Sequence, residues 1–126
     1  AVGSTVLLAR WLNLSELLQR SMAMRSITTP FAVEATRSVG GNADLTALFV
    51  VLTGVIGMAV GESVLTVLAI RSRLGKGAGF GASAHGAGTA RAYQMGNEEG
   101  GVSSMVVMIA GMATVLLAPL LGKLFW

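Results

Sequence analysis

The stretch Leu45–Ile70, LTALFVVLTGVIGMAVGESVLTVLAI, runs 26 residues with a single charge, Glu62. At about 1.5 Å of rise per residue, roughly 20 apolar residues cross a hydrocarbon core about 30 Å thick. Val102–Gly122, VSSMVVMIAGMATVLLAPLLG, runs 21 residues with no charge and meets the same condition. These two spans decide the solvent, and the chain reads as an integral membrane protein. The whole composition agrees: 12% of residues are charged and 53% hydrophobic, whereas a soluble domain carries about 25% charged residues. Glycine is abundant, at 17 residues, and membrane helices tolerate it better than soluble ones.

Several function classes fall away. The net charge of +3 comes from basic residues scattered at the ends of apolar segments, as the flanks of membrane spans require, with no basic stripe interleaved with aromatics. Nucleic acid is therefore not an expected partner; the lipid bilayer is. There is no cysteine and one histidine, which excludes thiolate metal sites and a multi-histidine centre within one chain. Gly77–Gly86, GAGFGASAHG, contains glycine strings, but no strand precedes it, so it is not a dinucleotide loop. With no Ser/His/Asp set at useful spacing either, neither an enzyme nor a cofactor is predicted.

Working outward, residues 1–12, AVGSTVLLARWL, read as the end of a membrane helix already under way, without the basic start or cleavage site of a signal peptide. The expectation is a single transmembrane domain over 1–126 that is a fragment of a longer protein. Asn13–Ser15 suits a helix start. Residues 16–41 are predicted as a helix broken near Thr28–Pro30, because proline removes a donor and pushes the preceding residue out of helical geometry, with Gly40-Gly41 as its C-cap. The span over 45–70 follows, then RSRLGK (Arg71–Lys76), a glycine-rich broken helix over 77–99, and the span over 102–122.

If Arg71, Arg73 and Lys76 are cytoplasmic and the glycine-rich block crosses, then Asp44, Glu98 and Glu99 lie outside. Lys123 and the C-terminus then return to the cytoplasm, and a crossing 16–41 block leaves Arg10 and Arg20 inside. The layout repeats, an interrupted crossing followed by a continuous span. A shift of 57 residues aligns Ser26 with Ser83, Ala35 with Ala92, Val50 with Val107 and Gly54 with Gly111. The predicted fold is all-α, a polytopic membrane protein with two interrupted crossing helices and continuous transmembrane spans, as in transporters whose sites lie at such interruptions.

Non-helical backbone inside hydrocarbon survives only when buried in protein or lining water. Half-helix N-termini at the two breaks suit a carboxylate. Thr28 and Thr29 at the first break, and Thr89 one turn from His85 at the second, add hydroxyls; Arg91 offers a two-pronged donor, and His85 can exchange a proton near neutral pH. The candidate substrate site read from these residues is thus Thr28, Thr29, His85, Thr89 and Arg91, with His85, Glu34 and Glu62 as candidates for proton or ion coupling. Structural readings stand beside these. Thr-Thr-Pro also makes a kink satisfied by its own threonines, His85 a packed core residue, and Arg91 a partner of Glu34. Glu34 and Arg37 are spaced to neutralise one another, and Glu62 sits near the interface. Glycines at 54, 57 and 61, and at 77, 79 and 81, permit close helix packing.

Three segments carry a family resemblance: RSITTPFA (Arg25–Ala32), LTALFVVLTGVIG (Leu45–Gly57), and AHGAGTARA (Ala84–Ala92) with GNEEG (Gly96–Gly100) soon after. In order and spacing they resemble the LrgB/CidB family of bacterial membrane proteins. The likeness covers most of the chain from about residue 10 onward, and it implies that the chain is the C-terminal half of a longer protein. Departures are Arg25 where that family has Lys, Ala84 where it has Ser beside the histidine, and Ala82 where it has Thr; Ser83 supplies a neighbouring hydroxyl. The resemblance singles out Thr28, Thr29 and Pro30, then His85, Gly88, Thr89, Ala90 and Arg91, which adds Pro30 and Gly88 to the candidate substrate site. It implies a multi-pass protein of the bacterial inner membrane with one of two roles. One is transport of small monocarboxylates of the glycolate, glycerate or pyruvate kind. The other is antiholin-like or holin-like regulation of murein hydrolase activity and autolysis with a smaller LrgA/CidA-type partner. Small-residue helix faces also suit a homodimer.

Overall fold

The computed structural model describes all 126 residues. The chain is all-helical: α1 (Val2–Trp11), α2 (Glu16–Ala23), α3 (Thr29–Ser38), α4 (Ala43–Val67), α5 (Arg73–Met95) and α6 (Asn97–Phe125). It divides into two units, Ala1–Val51 with Gly111–Trp126, and Leu52–Ala110, so that α4 and α6 each contribute to both.

Three helices end alike. After α3, Gly40 turns to φ 74°, and the amides of Gly41 and Gly40 donate to the carbonyls of Thr36 (3.0 Å) and Arg37 (3.3 Å). This is the double closure of a Schellman ending. The same pair of bonds closes α1 through Asn13 and α4 through Ala69, at φ 53° and 55°. Asn13 thus ends α1 rather than opening α2, whose cap is Ser15; its hydroxyl accepts from the Leu18 amide. Ala69 is the costly member, since a Cβ at left-handed φ is disfavoured by roughly 1–2 kcal/mol. It ends α4 three residues before the apolar run stops at Ile70.

In the first unit, the predicted broken helix over 16–41 is two short helices of 8 and 10 residues, neither long enough to cross a bilayer alone. Pro30 does not break a helix; it lies in the first turn of α3, where a missing N–H is harmless. Val6, Ala23, Met24, Ala35, Val39 and Ala118 form the core. Beside them lies a buried polar node. The Thr46 hydroxyl bonds the Ser21 carbonyl (3.0 Å) and the Thr36 hydroxyl (2.9 Å), while Ser21 Oγ accepts from the Asn42 amide at 2.9 Å. Asn42 Oδ1 in turn accepts from the Leu45 amide at 3.0 Å, capping α4.

In the second unit, α5 folds back on itself. His85 has φ 48° and ψ −124°, outside helical geometry. The two arms on either side lie against each other: a Cβ on Gly88 would collide with the Phe80 carbonyl and the Ala84 Cβ, although these residues are eight and four positions apart. A straight helix would separate Phe80 from Gly88 by about 12 Å. The first arm packs on α4 through Gly57 against Ala84 and Gly61 against Phe80. It packs on the start of α6 through Gly77 against Glu99 and Gly81 against Ser103.

The reversal changes the expected topology. Residues 77–99 were predicted to carry the chain across; instead both ends of α5 return to one level, where Arg73 pairs with Glu98 at 3.2 Å. The sorting of Arg71, Arg73 and Lys76 from Glu98 and Glu99 onto opposite sides does not hold, because a re-entrant hairpin delivers both groups to the same end.

Two helices are long and apolar enough to cross a membrane: α4, with mean hydropathy 2.1 over its apolar window, and α6, with 2.2. Only 17% and 11% of those windows are buried inside the chain. Ile56 is 59% exposed and Leu116 80%. The core helix of a soluble protein buries its apolar side chains; contiguous apolar surface of this extent marks contact with lipid or with another chain. Glu98 and Glu99 occupy the first turn of α6, complementing its dipole, so the helix starts five residues before the apolar run over 102–122.

Candidate functional site

The α5 reversal brings His85, Thr89 and, from α6, Ser103 together. His85 sits at the turn and is 3% exposed. Its backbone lies in a region that costs a non-glycine residue roughly 1–3 kcal/mol. Such strain persists only where the surroundings over-determine it, and here the surroundings are Ala84, fully buried, and Gly88, pressed against the Phe80 carbonyl. Gly88 therefore acts as the contact that lets the arms close.

Thr89 is one turn further on. Its hydroxyl donates to the His85 carbonyl at 2.8 Å and meets the Ser103 hydroxyl at the same distance. With its one proton on the His85 carbonyl, Thr89 accepts from Ser103. This hydroxyl satisfies a carbonyl at the turn and ties the second arm to α6. Ser103 is wholly buried, and no motif in the sequence marks it. Its only signal was a hydroxyl within an otherwise apolar span.

Arg91 pairs with Glu62 of α4 through Nη2, and its Nη1 donates to Gln94 Oε1 at 2.9 Å. The side chains of Arg91 and Glu62 are 36% and 50% exposed. Glu34, in the first unit, lies near Arg37 at 3.8 Å, both well exposed. Two of the predicted coupling residues thus have structural partners, Glu62 with Arg91 and Glu34 with Arg37.

Thr28, Thr29 and Pro30 belong to the first unit. Thr28 has extended backbone at the N-cap of α3, without a side-chain capping bond, and both threonines are half-buried. The second unit brings together His85, Gly88 and Thr89 at the turn, with Arg91 further along the same arm beside α4.

A re-entrant, glycine-rich hairpin with a buried histidine at its tip lies between the two long apolar helices in sequence. The family model of the LrgB-like family matches residues 1–124. The chain belongs to the LrgB-like family. This member is 38% identical over 121 residues to the protein named uncharacterized protein YwbG of Bacillus subtilis (strain 168), covering 96% of this chain and 54% of that protein. It is 33% identical over 124 residues to antiholin-like protein LrgB of the same strain, covering 98% and 54%. To holin-like protein CidB of Staphylococcus aureus (strain Mu50 / ATCC 700699) it is 34% identical over 102 residues, covering 81% and 44%. The chain spans about half the length of the curated relatives it matches. No solved structure matches it.

Proposed function

We propose that this LrgB-like chain works in the bacterial cytoplasmic membrane as part of a regulator of murein hydrolase activity and autolysis, in the antiholin-like or holin-like manner of its named relatives. The observation that carries this reading is the outward apolar surface of α4 and α6, together with the names of LrgB and CidB. Surfaces of this kind suit helix-to-helix contact within the bilayer, and a small LrgA/CidA-type membrane protein is the proposed partner. A wide polar pore lining is absent from both long helices, so regulation through a partner fits better than a lesion formed by this chain alone. The test is the rate of detergent-induced lysis and the murein hydrolase banding of cells lacking the gene, against cells complemented with it. Identical lysis curves and banding in both would defeat the proposal.

A second reading is favoured by the hairpin itself. Interrupted segments at membrane depth mark substrate sites in transporters, and α5 supplies one such interruption at His85. In this reading the protein moves a small monocarboxylate of the glycolate, glycerate or pyruvate class. The anion displaces Glu62 from Arg91 and His85 exchanges a proton. Uptake of labelled glycolate, lactate and pyruvate into liposomes holding the purified protein tests it. Saturable uptake that Arg91→Ala abolishes supports transport; no uptake above empty liposomes removes it.

In the same proposal Arg71, Arg73 and Lys76 lie in the cytoplasm, so that α6 starts on that side and Lys123 lies on the other.

A further inference from the structure

We propose that the second unit holds an anionic phospholipid, one acyl chain lying in a groove between α4 and the first arm of α5 and the phosphate resting on Arg71 and Lys76. The inference rests on the membrane placement proposed above and is independent of lysis or transport.

The groove encloses about 300 Å³. Val60, Val64 and Leu68 line it from α4, and Gly79, Phe80 and Ser83 from α5. Ser83, its one polar side chain, is turned back on the Gly79 carbonyl at 2.7 Å, so the lining offers hydrocarbon and little else. Gly57, Gly61 and Gly79 lie along its floor, where they let α4 and the first arm of α5 close on Ala84, Phe80 and Leu65. Val60 and Val64 are each 48% exposed and Leu68 62%, so the groove opens outward, toward lipid in a membrane.

Its length and its charged end select the occupant. From Leu68 to Gly57 the groove follows α4 for about 16 Å, close to half of a hydrocarbon core of about 30 Å and so to one leaflet. At its Leu68 end the chain passes through Ile70, a lining residue, directly into Arg71. Lys76, Gly79, Phe80 and Ser83 follow at i, i+3, i+4 and i+7, which sets Lys76 on the helix face that lines the groove, one turn nearer the charged end. The other charges at this end do not cancel these two cations. Arg73 is matched with Glu98, Glu99 is folded in against Gly96 with 8% of its surface exposed, and Arg71 and Lys76 make no ion pair. Two unpaired cations above an apolar groove one leaflet deep are complementary to a phosphodiester with its acyl chain. A second copy of this chain would meet the same cations with its own.

Native mass spectrometry of the detergent-purified protein, titrated with phosphatidylglycerol or with phosphatidylcholine of the same acyl chains, tests this. The expected result is a single retained phosphatidylglycerol, favoured over phosphatidylcholine by about tenfold or more. Arg71→Gln/Lys76→Gln should lose the preference. Val64→Trp, which fills the groove from an exposed position, should lose the lipid, whereas Leu74→Trp, exposed and outside the groove, should keep it. Equal retention of the two lipids, or unchanged retention in Val64→Trp, would overturn the site. So would a change of oligomeric mass in Val64→Trp with lipid retention unaltered, which would assign the groove to a second copy. Recovery of the protein without detergent would instead remove the membrane placement itself.

Discussion

Arg73 and Glu98 form an ion pair at 3.2 Å, although a straight helix would hold residues 25 positions apart at about 37 Å. The reversal at His85 is what joins them. The first arm of α5 runs away from Arg73, the second returns to Gly96, and α6 sets out again beside the first arm. The glycine contacts follow that path, with residue 77 against 99, 81 against 103 and 88 against 80.

A crossing segment and a re-entrant one differ in which faces of the membrane their ends meet. The chain has no cysteine, so single cysteines at 73 and at 98 can be labelled without background. Both are expected to react with an impermeant maleimide from the same side of sealed vesicles, and the double variant to form an intramolecular disulfide under mild oxidant. Labelling from opposite sides would show that the block crosses.

His85 has a backbone that glycine adopts more readily than any other residue. In a regular helix alanine is more stabilising than glycine by about 1 kcal/mol. At this position the order should invert. His85→Gly and His85→Ala lose the same imidazole, so the comparison isolates the backbone, and His85→Gly is expected to be the more stable by about 1–3 kcal/mol. Denaturant unfolding in detergent micelles measures it; an alanine variant equal to or above the glycine variant would exclude the left-handed geometry.

Two neighbouring glycines should respond oppositely to alanine. A Cβ on Gly86 meets nothing within 4 Å, so Gly86→Ala is expected to gain up to about 1 kcal/mol of helix propensity. A Cβ on Gly88 meets the Phe80 carbonyl and Ala84, and Gly88→Ala should lose about 1–3 kcal/mol through overpacking. The same unfolding assay reads both, and equal responses would mean that the arms are not in contact.

The long helices were legible because each is a run of apolar residues longer than a bilayer requires, and the Gly40-Gly41 ending was legible because glycine announces left-handed backbone. What was hidden has the same cause each time. Ala69 and His85 adopt positive φ without glycine, so nothing in their identity marks a helix end or a chain reversal. A glycine-rich block of some 23 residues satisfies a crossing and a hairpin equally well by length. The consequences of the hairpin are equally unmarked: Arg91 meets Glu62, and Thr89 meets Ser103, only because the chain folds back. Pro30 was read as a helix breaker because composition does not distinguish an interior proline from one in a first turn.

Ala69 offers a direct gain. It is exposed and closes α4 at φ 55°, the position where glycine is the usual residue. Ala69→Gly should raise stability by roughly 1 kcal/mol, seen as a higher denaturant midpoint with an unchanged slope. A lowered midpoint would mean that the ending of α4 is not held in this form.

The pairing of Arg91 with Glu62 decides between a structural and a ligand role for the most conspicuous cation of the hairpin. Ion pairs exposed to water contribute about 0.2–1 kcal/mol, but this pair lies between helices whose neighbouring surface is apolar, where a stranded charge is far more costly. Arg91→Ala and Glu62→Ala should each destabilise the protein in bilayers, and the double variant by less than their sum. The exchanged pair Arg91→Glu/Glu62→Arg should recover most of the stability. If it also recovers the lysis phenotype, the pair holds the second arm of α5 onto α4 and does nothing further. If stability returns without function, the cation is needed at position 91 itself, which is the outcome a carboxylate-binding arginine requires. Additive single variants would show that the two side chains do not meet in the membrane.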